Sequence, residues 1–244
     1  MYIPEHFRMS DEDVEAFLSG VRAGNLITVD ENRRPLATFL PWVLMDGRLI
    51  SHMGTVNPQS RHTGEALVVF MGDDAYISDE WMSGVAAPTW DYETVHAYGE
   101  IRVHTDPEWI IDSWSQMLER YSTRTIGDYD PAWVEIQTRS VVGVEVVVTE
   151  IQAKSKLSQN RTRSEVDSII SHLSPACPHL AARMAEVSLP HIAARDEKVR
   201  EIRQLFLEPP RKTPARPMRT NPMLAIQPGQ NVRLIRMSDT QPLE

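Results

Sequence analysis

The chain has 244 residues with 41% hydrophobic and 24% charged composition, an ordinary balance for one main globular domain with a smaller appendage. No apolar run approaches the roughly 20 residues of a membrane span, and the start lacks the basic and apolar regions of a secretory signal, so a cytoplasmic protein is expected. A net charge of −9 argues against a broad nucleic-acid surface, and the single cysteine, Cys177, excludes an internal disulfide.

Ser10 is placed to cap a helix in which Val14, Phe17, Leu18 and Val21 recur at helical spacing, with Gly24 as its stop. "NLITVD", "RPLATFLPWVLMD" and "RLISHM" then read as short strands, with a hairpin turn at Asp46-Gly47. "EALVVFMG", "AYIS" and "VHAYGEIRVH" continue the strands, interrupted at Gly72-Asp73-Asp74 and near Pro88. A helix follows Asp106-Pro107, because Pro suits a first turn and Ile110, Ile111, Trp114, Met117, Leu118 and Tyr121 recur helically.

"VVGVEVVVTEIQA" returns as a long strand, and Thr162 with Glu165 has capping-box spacing ahead of another helix. Hairpin spacing between strands favours an antiparallel, Greek-key-like barrel with two or three helices at its edges over alternating βαβ units. "HLAARMAEVSL" and "HIAARDEKVREIRQLFL" read as two further helical segments. Past Pro209 the chain is Pro-rich and carries Arg211, Lys212, Arg216, Arg219, Arg233 and Arg236 with no acid before Met237, a basic and disordered tail able to touch DNA. The expected division is a barrel over 1–175, a helical extension over 176–208 and the tail over 209–244.

Standard nucleotide, metalloprotease and hydrolase motifs are absent from the sequence. Three polar clusters at strand ends remain. In "SHMGTVNPQSR" (51–61), His52, Asn57, Gln59 and Arg61 suit a heterocycle and its phosphate, and equally suit an Asn-Pro turn. In "APTWDYETVHAYGE" (87–100), Trp90, Tyr92, His96 and Tyr98 form either an aromatic shelf for a flat cofactor or a plain core edge. In "KSKLSQNR" (154–161), Lys156, Ser158 and Asn160 share a face if extended, offering a cation, a hydroxyl and an amide, or only a solvated strand end.

These clusters, with "MYIPEHF", "RPLATFLP", "GEALVVFMGDDAYIS" and "DPEW", resemble the PaiB family of FMN-binding negative transcriptional regulators over residues 1–175. The resemblance implies a split β-barrel homodimer with FMN in a groove between subunits, touched by His52, Asn57, Gln59, Trp90, His96, Lys156, Ser158 and Gln159. His52 and His96 become the candidate catalytic residues toward a small-molecule substrate. This chain has Phe39 where the family usually carries a histidine, and "ISDEWM" where it carries an aromatic-ended stretch. A branch resembling piperazate synthase uses haem b to close an N–N bond, which would make His52 an axial iron ligand. A regulator that needs no chemistry is the third expectation, its DNA contact the basic tail.

Overall fold

The structure is a computed structural model that describes residues 1–20, 23–83 and 86–207. The basic tail expected over 209–244 and the helical position assigned to Val21 lie outside the described residues. Among the described residues there are seven strands: β1 (Ala23–Val29), β2 (Pro35–Pro41), β3 (Val43–Met45), β4 (Arg48–Gly54), β5 (Gly64–Ile77), β6 (Thr89–His104) and β7 (Val141–Lys156). Five α-helices accompany them: α1 (Asp11–Gly20), α2 (Pro107–Tyr121), α3 (Pro131–Thr138), α4 (Arg163–Leu173) and α5 (Pro178–Leu207).

Every strand pairing is antiparallel, in the order β2-β1-β5-β6-β7-β4-β3. The two edge strands, β2 and β3, are separated in sequence by Trp42 alone. One residue cannot span a flat seven-stranded sheet, so the sheet rolls until its edges meet, forming the expected antiparallel barrel. Trp42, 1% exposed, fills that seam and donates its indole N–H to the Gly24 carbonyl at 3.2 Å.

Alternation along the strands fills the barrel with Leu26, Leu40, Leu49, Val68, Phe70, Val95, Val144 and Val146. The helix α1 adds Leu18 to this core, and the Ser10 hydroxyl accepts the Asp13 N–H at 3.1 Å as its cap. A second cluster joins Ile77 and Leu157 at the strand ends to Val166 and Ile169 of α4 and to Leu180, Met184 and Ile192 of α5. The capping box at Thr162 and Glu165 is present.

Several local expectations are corrected. Gly24 does not stop α1 but lies in β1, where a Cβ would come 2.5 Å from the Phe70 ring. "RPLATFLPWVLMD" divides at Trp42 into β2 and β3, because the barrel must close there. The Gly72-Asp74 break is a bulge inside one long β5, since pairing with β6 resumes at Asp74↔Tyr92. The helix α3 was not expected, because it has no apolar stripe long enough to announce it. Finally α5 runs unbroken through Pro190, because Met184 and Ile192 are buried on either side and Ser188 bonds the Leu157 carbonyl at 2.7 Å.

Candidate functional site

The polar clusters reach different places once the chain folds. Because β4 and β5 are not neighbours in the sheet, the segment joining them must cross the barrel end, and it carries Asn57 and Gln59 with it. The Asn57 side chain caps the short helical turn Pro58–Arg61 and donates to the Thr38 hydroxyl at 3.1 Å. Gln59 is 1% exposed; its amide donates to the Thr28 hydroxyl at 3.0 Å and the Leu26 carbonyl at 3.2 Å, and its oxygen accepts from Thr38. These amides brace β1 against β2, as buried polar groups must find partners. A cavity of about 620 Å³ opens beside them, with Arg34, Arg61 and His62 in its wall.

The second and third clusters meet. Lys156 pairs with Tyr92 across β6 and β7, and its ammonium lies 3.0 Å from the Asp91 carboxylate and 2.7 Å from the Thr89 hydroxyl. Ser158, in the left-handed region with φ of 65°, donates to the other Asp91 oxygen at 2.6 Å. The Gln159 amide closes the same turn, accepting from the Leu157 N–H and donating to the Ser155 carbonyl. Asp91 is fully buried, and that burial pushes its carboxyl above the ordinary range against the pull of Ser158 and Lys156. Sequence reasoning missed Asp91, although two acids on the inward-facing positions of a strand, Asp91 and Glu93, were a readable signal.

Glu93 is the second buried acid. It accepts from Ser155 at 2.7 Å and from Arg183 of α5 at 3.1 Å, and Arg183 also holds Asp13 and Glu186. Asp13 is buried enough to raise its carboxyl, yet the bonds from Arg183 and Ser10 bring it below the ordinary value.

On the outward face of β6 stand Trp90, Tyr92, His96 and Tyr98. Trp90 is half exposed, with its indole N–H on Asp74 at 2.7 Å and its ring edge-on to Tyr76. Along this face Phe39 (69% exposed) and Met71 (54% exposed) border a cavity of about 470 Å³ that Phe17 also lines. Lys154 lies 5.3 Å from the Tyr92 ring centroid. The amino terminus of Met1 bonds the Gln152 side chain, which is paired with His96. Burial, helped by this ammonium, lowers the His96 pKa.

His52 stands elsewhere. It pairs with Gly143, which in turn pairs with His104 at the far end of β6, eight residues from His96. At the rise of an extended strand this is about 26 Å. One chain therefore does not bring His52 and His96 to a common ring. His52 faces a cavity of about 340 Å³ roofed by α2 and α3. Its Nδ1 is buried without a hydrogen-bond partner, and burial pushes its pKa down, so the imidazole is neutral.

Histidine burial sets a pH dependence. His52, His96 and His191 all lie below the ordinary imidazole value, principally through burial. As pH falls through about 6.5 the unfolded chain takes up these protons before the native one does, so stability is full above that pH and declines below it. Thermal midpoints should therefore drop between about pH 7.5 and pH 5.5, and His52→Phe should flatten that drop. An identical slope in the variant would remove His52 from the account.

No helix among the described residues is long and apolar enough to cross a membrane. Residues 1–150 match the family model described as "Putative FMN-binding domain". The protease synthase and sporulation protein PAI 2 of Bacillus subtilis is 33% identical over 201 residues, covering 77% of this chain and 96% of that protein. The uncharacterized protein YKL070W of Saccharomyces cerevisiae is 25% identical over 151 residues, covering 49% and 89% of the two chains. Among solved structures, the conserved hypothetical protein Rv2991 of Mycobacterium tuberculosis aligns with a TM-score of 0.48 at 17% identity, covering 64% of this chain and 91% of that one. By the extent of the domain match and the identity to PAI 2, the chain belongs to the PaiB-like family of FMN-binding domains.

Proposed function

We propose that the protein binds FMN on the outward face of β6 and works as a cytoplasmic homodimer in a redox or transcription-regulatory role. One observation carries this reading: large apolar side chains, Phe39, Met71, Tyr76 and Trp90, are exposed on one side of the barrel. A soluble chain seldom leaves such a surface to water. A flat isoalloxazine and a second copy of the chain are the occupants that suit it, the ring stacking on aromatic side chains and the second copy covering the apolar remainder. FMN supplies reversible electron transfer when bound.

The residues fit that ligand unevenly. Trp90 and Tyr92 offer ring faces, and neutral His96 offers a hydrogen-bonding nitrogen for a heterocycle edge. Lys154 and Lys156 on the adjoining strand supply cations for the phosphate. Ser158 and Gln159 serve by fixing the turn that follows Lys156, since their polar groups are engaged inside the protein. Asn57 and Gln59 serve by bracing the barrel end. Titration of the purified full chain with FMN tests the reading, and Trp90→Ala should weaken binding about tenfold, the value of one lost stacking contact. Unaltered affinity in that variant would move the ring off this face.

A second reading, haem b held by His52, rests on the unpartnered buried Nδ1 of that imidazole alone; the cavity of about 340 Å³ that it faces is smaller than a tetrapyrrole, so α2 or α3 would have to shift to admit one. It requires a Soret band that changes in His52→Ala. The regulatory role through the basic tail is tested separately: removing residues 209–244 should abolish DNA retention at low salt.

A further inference from the structure

We infer that the cavity between α2, α3 and β4 is a second binding site, for a small neutral aromatic molecule carrying one O–H or N–H donor. It lies on the β4–β7 side of the barrel, remote from the proposed flavin face, and does not depend on that reading. Its walls are His52, Trp114, Met117, Tyr129, Trp133 and Gln137. Nothing in this lining carries a formal charge while His52 is neutral, so a charged ligand would lose its hydration without a counter-ion.

The shape is set by rings. Tyr129 and Trp133 stack with centroids 5.4 Å apart and planes 17° apart, and His52 meets Trp114 edge-on at 5.9 Å. A flat ring extends such an arrangement by the same offset and edge contacts. The volume of about 340 Å³ sits at the small end of ligand sites, suited to one or two fused rings and too small for a tetrapyrrole.

The donor requirement comes from His52. No hydrogen bond to either of its nitrogens is found among the described residues, and Nδ1 is buried in that condition. Buried imidazoles ordinarily have partners, and the neutral ring keeps one lone pair as an acceptor. Nδ1 has no surface for a ligand to reach, so the nitrogen open to the cavity is Nε2, an acceptor when the ring proton sits on Nδ1, and a hydroxyl or N–H entering beside His52 would meet it. Next to His52 along the sheet, Trp109 lies over Gly143, the strand partner of His52, and stacks on His104 with centroids 4.0 Å apart.

The test uses 4-methylphenol and 4-methylanisole, which differ by one methyl group that blocks the donor. Binding to the purified full chain is followed by calorimetry and by tryptophan emission, because Trp114 and Trp133 line the cavity. We expect saturable binding of the phenol at one site per chain, about tenfold tighter than the anisole, as one neutral hydrogen bond allows. His52→Phe should bring the phenol to the affinity of the anisole. Equal affinities for the two probes, or no saturation by either, would overturn the proposal. So would displacement of the phenol by haem with a Soret band, which would make iron the occupant. The probe comparison on the unaltered chain decides the matter even where His52→Phe fails to fold.

Discussion

Replacing Lys156 by methionine is expected to lower the unfolding free energy by about 3 kcal/mol at neutral pH, the low end of the cost of stripping one partner from a buried ion pair. Asp91 is fully buried and already pushed toward the protonated form by that burial; Lys156 and Ser158 are what oppose it. Without the ammonium, the carboxylate keeps the Ser158 hydroxyl at 2.6 Å and no cation at hydrogen-bond distance. The sign of the pH dependence follows. A carboxyl raised further in the folded state holds its proton more tightly there than in the unfolded chain, so the loss in Lys156→Met shrinks as pH falls and Asp91 becomes neutral. Adding Asp91→Asn should recover most of the stability. Urea unfolding of the two variants at two pH values checks this, and a deficit independent of pH would show that Lys156 acts through packing alone.

The second large effect is expected at Arg183. Its guanidinium joins Asp13 of α1, Glu93 of β6 and Glu186 of its own helix, with Glu93 buried. Arg183→Met should cost about 3 kcal/mol, because among the described residues Glu93 then keeps only the Ser155 hydroxyl as a partner. Asp13 adds an acid-side signature. Its pKa is depressed in the folded chain, so it contributes stability that is present above the unfolded-state value and lost as pH falls through the folded one. Arg183→Met removes that contribution, and its deficit should narrow below about pH 4. Lysine at this position should restore part of the loss, since one ammonium cannot fork onto several carboxylates.

Strand content was legible because period-2 alternation and the Asp46-Gly47 turn are local signals. Asp46 and Gly47 indeed have φ of 49° and 73°, the left-handed pair a tight hairpin requires. The helix α2 was legible for the same reason: Asp106 caps it and Pro107 opens it. What escaped was set by closure. Nothing around Trp42 says that a strand must leave one sheet edge and join the other, and Pro190 reads as a break until Met184 and Ile192 are seen buried on both sides of it.

The candidate site was legible as residue types and not as directions. Lys156, Ser158 and Gln159 looked like donors waiting for a ligand, yet Ser158 and Gln159 face inward and Lys156 is shared with Asp91. Gln59 looked like a heterocycle reader and is a brace inside the barrel. His52 was singled out as a cofactor contact from its place at a strand end, but the aromatic walls of the cavity it faces come from α2, α3 and the segment between them, more than sixty residues away in sequence. The aromatic row of β6 is the part whose exposure follows directly from alternation, which is why it carries the functional proposal.

The most direct measurement is an FMN titration of the purified 27.8 kDa chain, read by flavin absorbance and fluorescence and paired with light scattering for mass. Saturable uptake of one FMN per chain by a particle of twice the chain mass, weakened by Trp90→Ala, is the expected result. A monomer that stays colourless in excess FMN would contradict it.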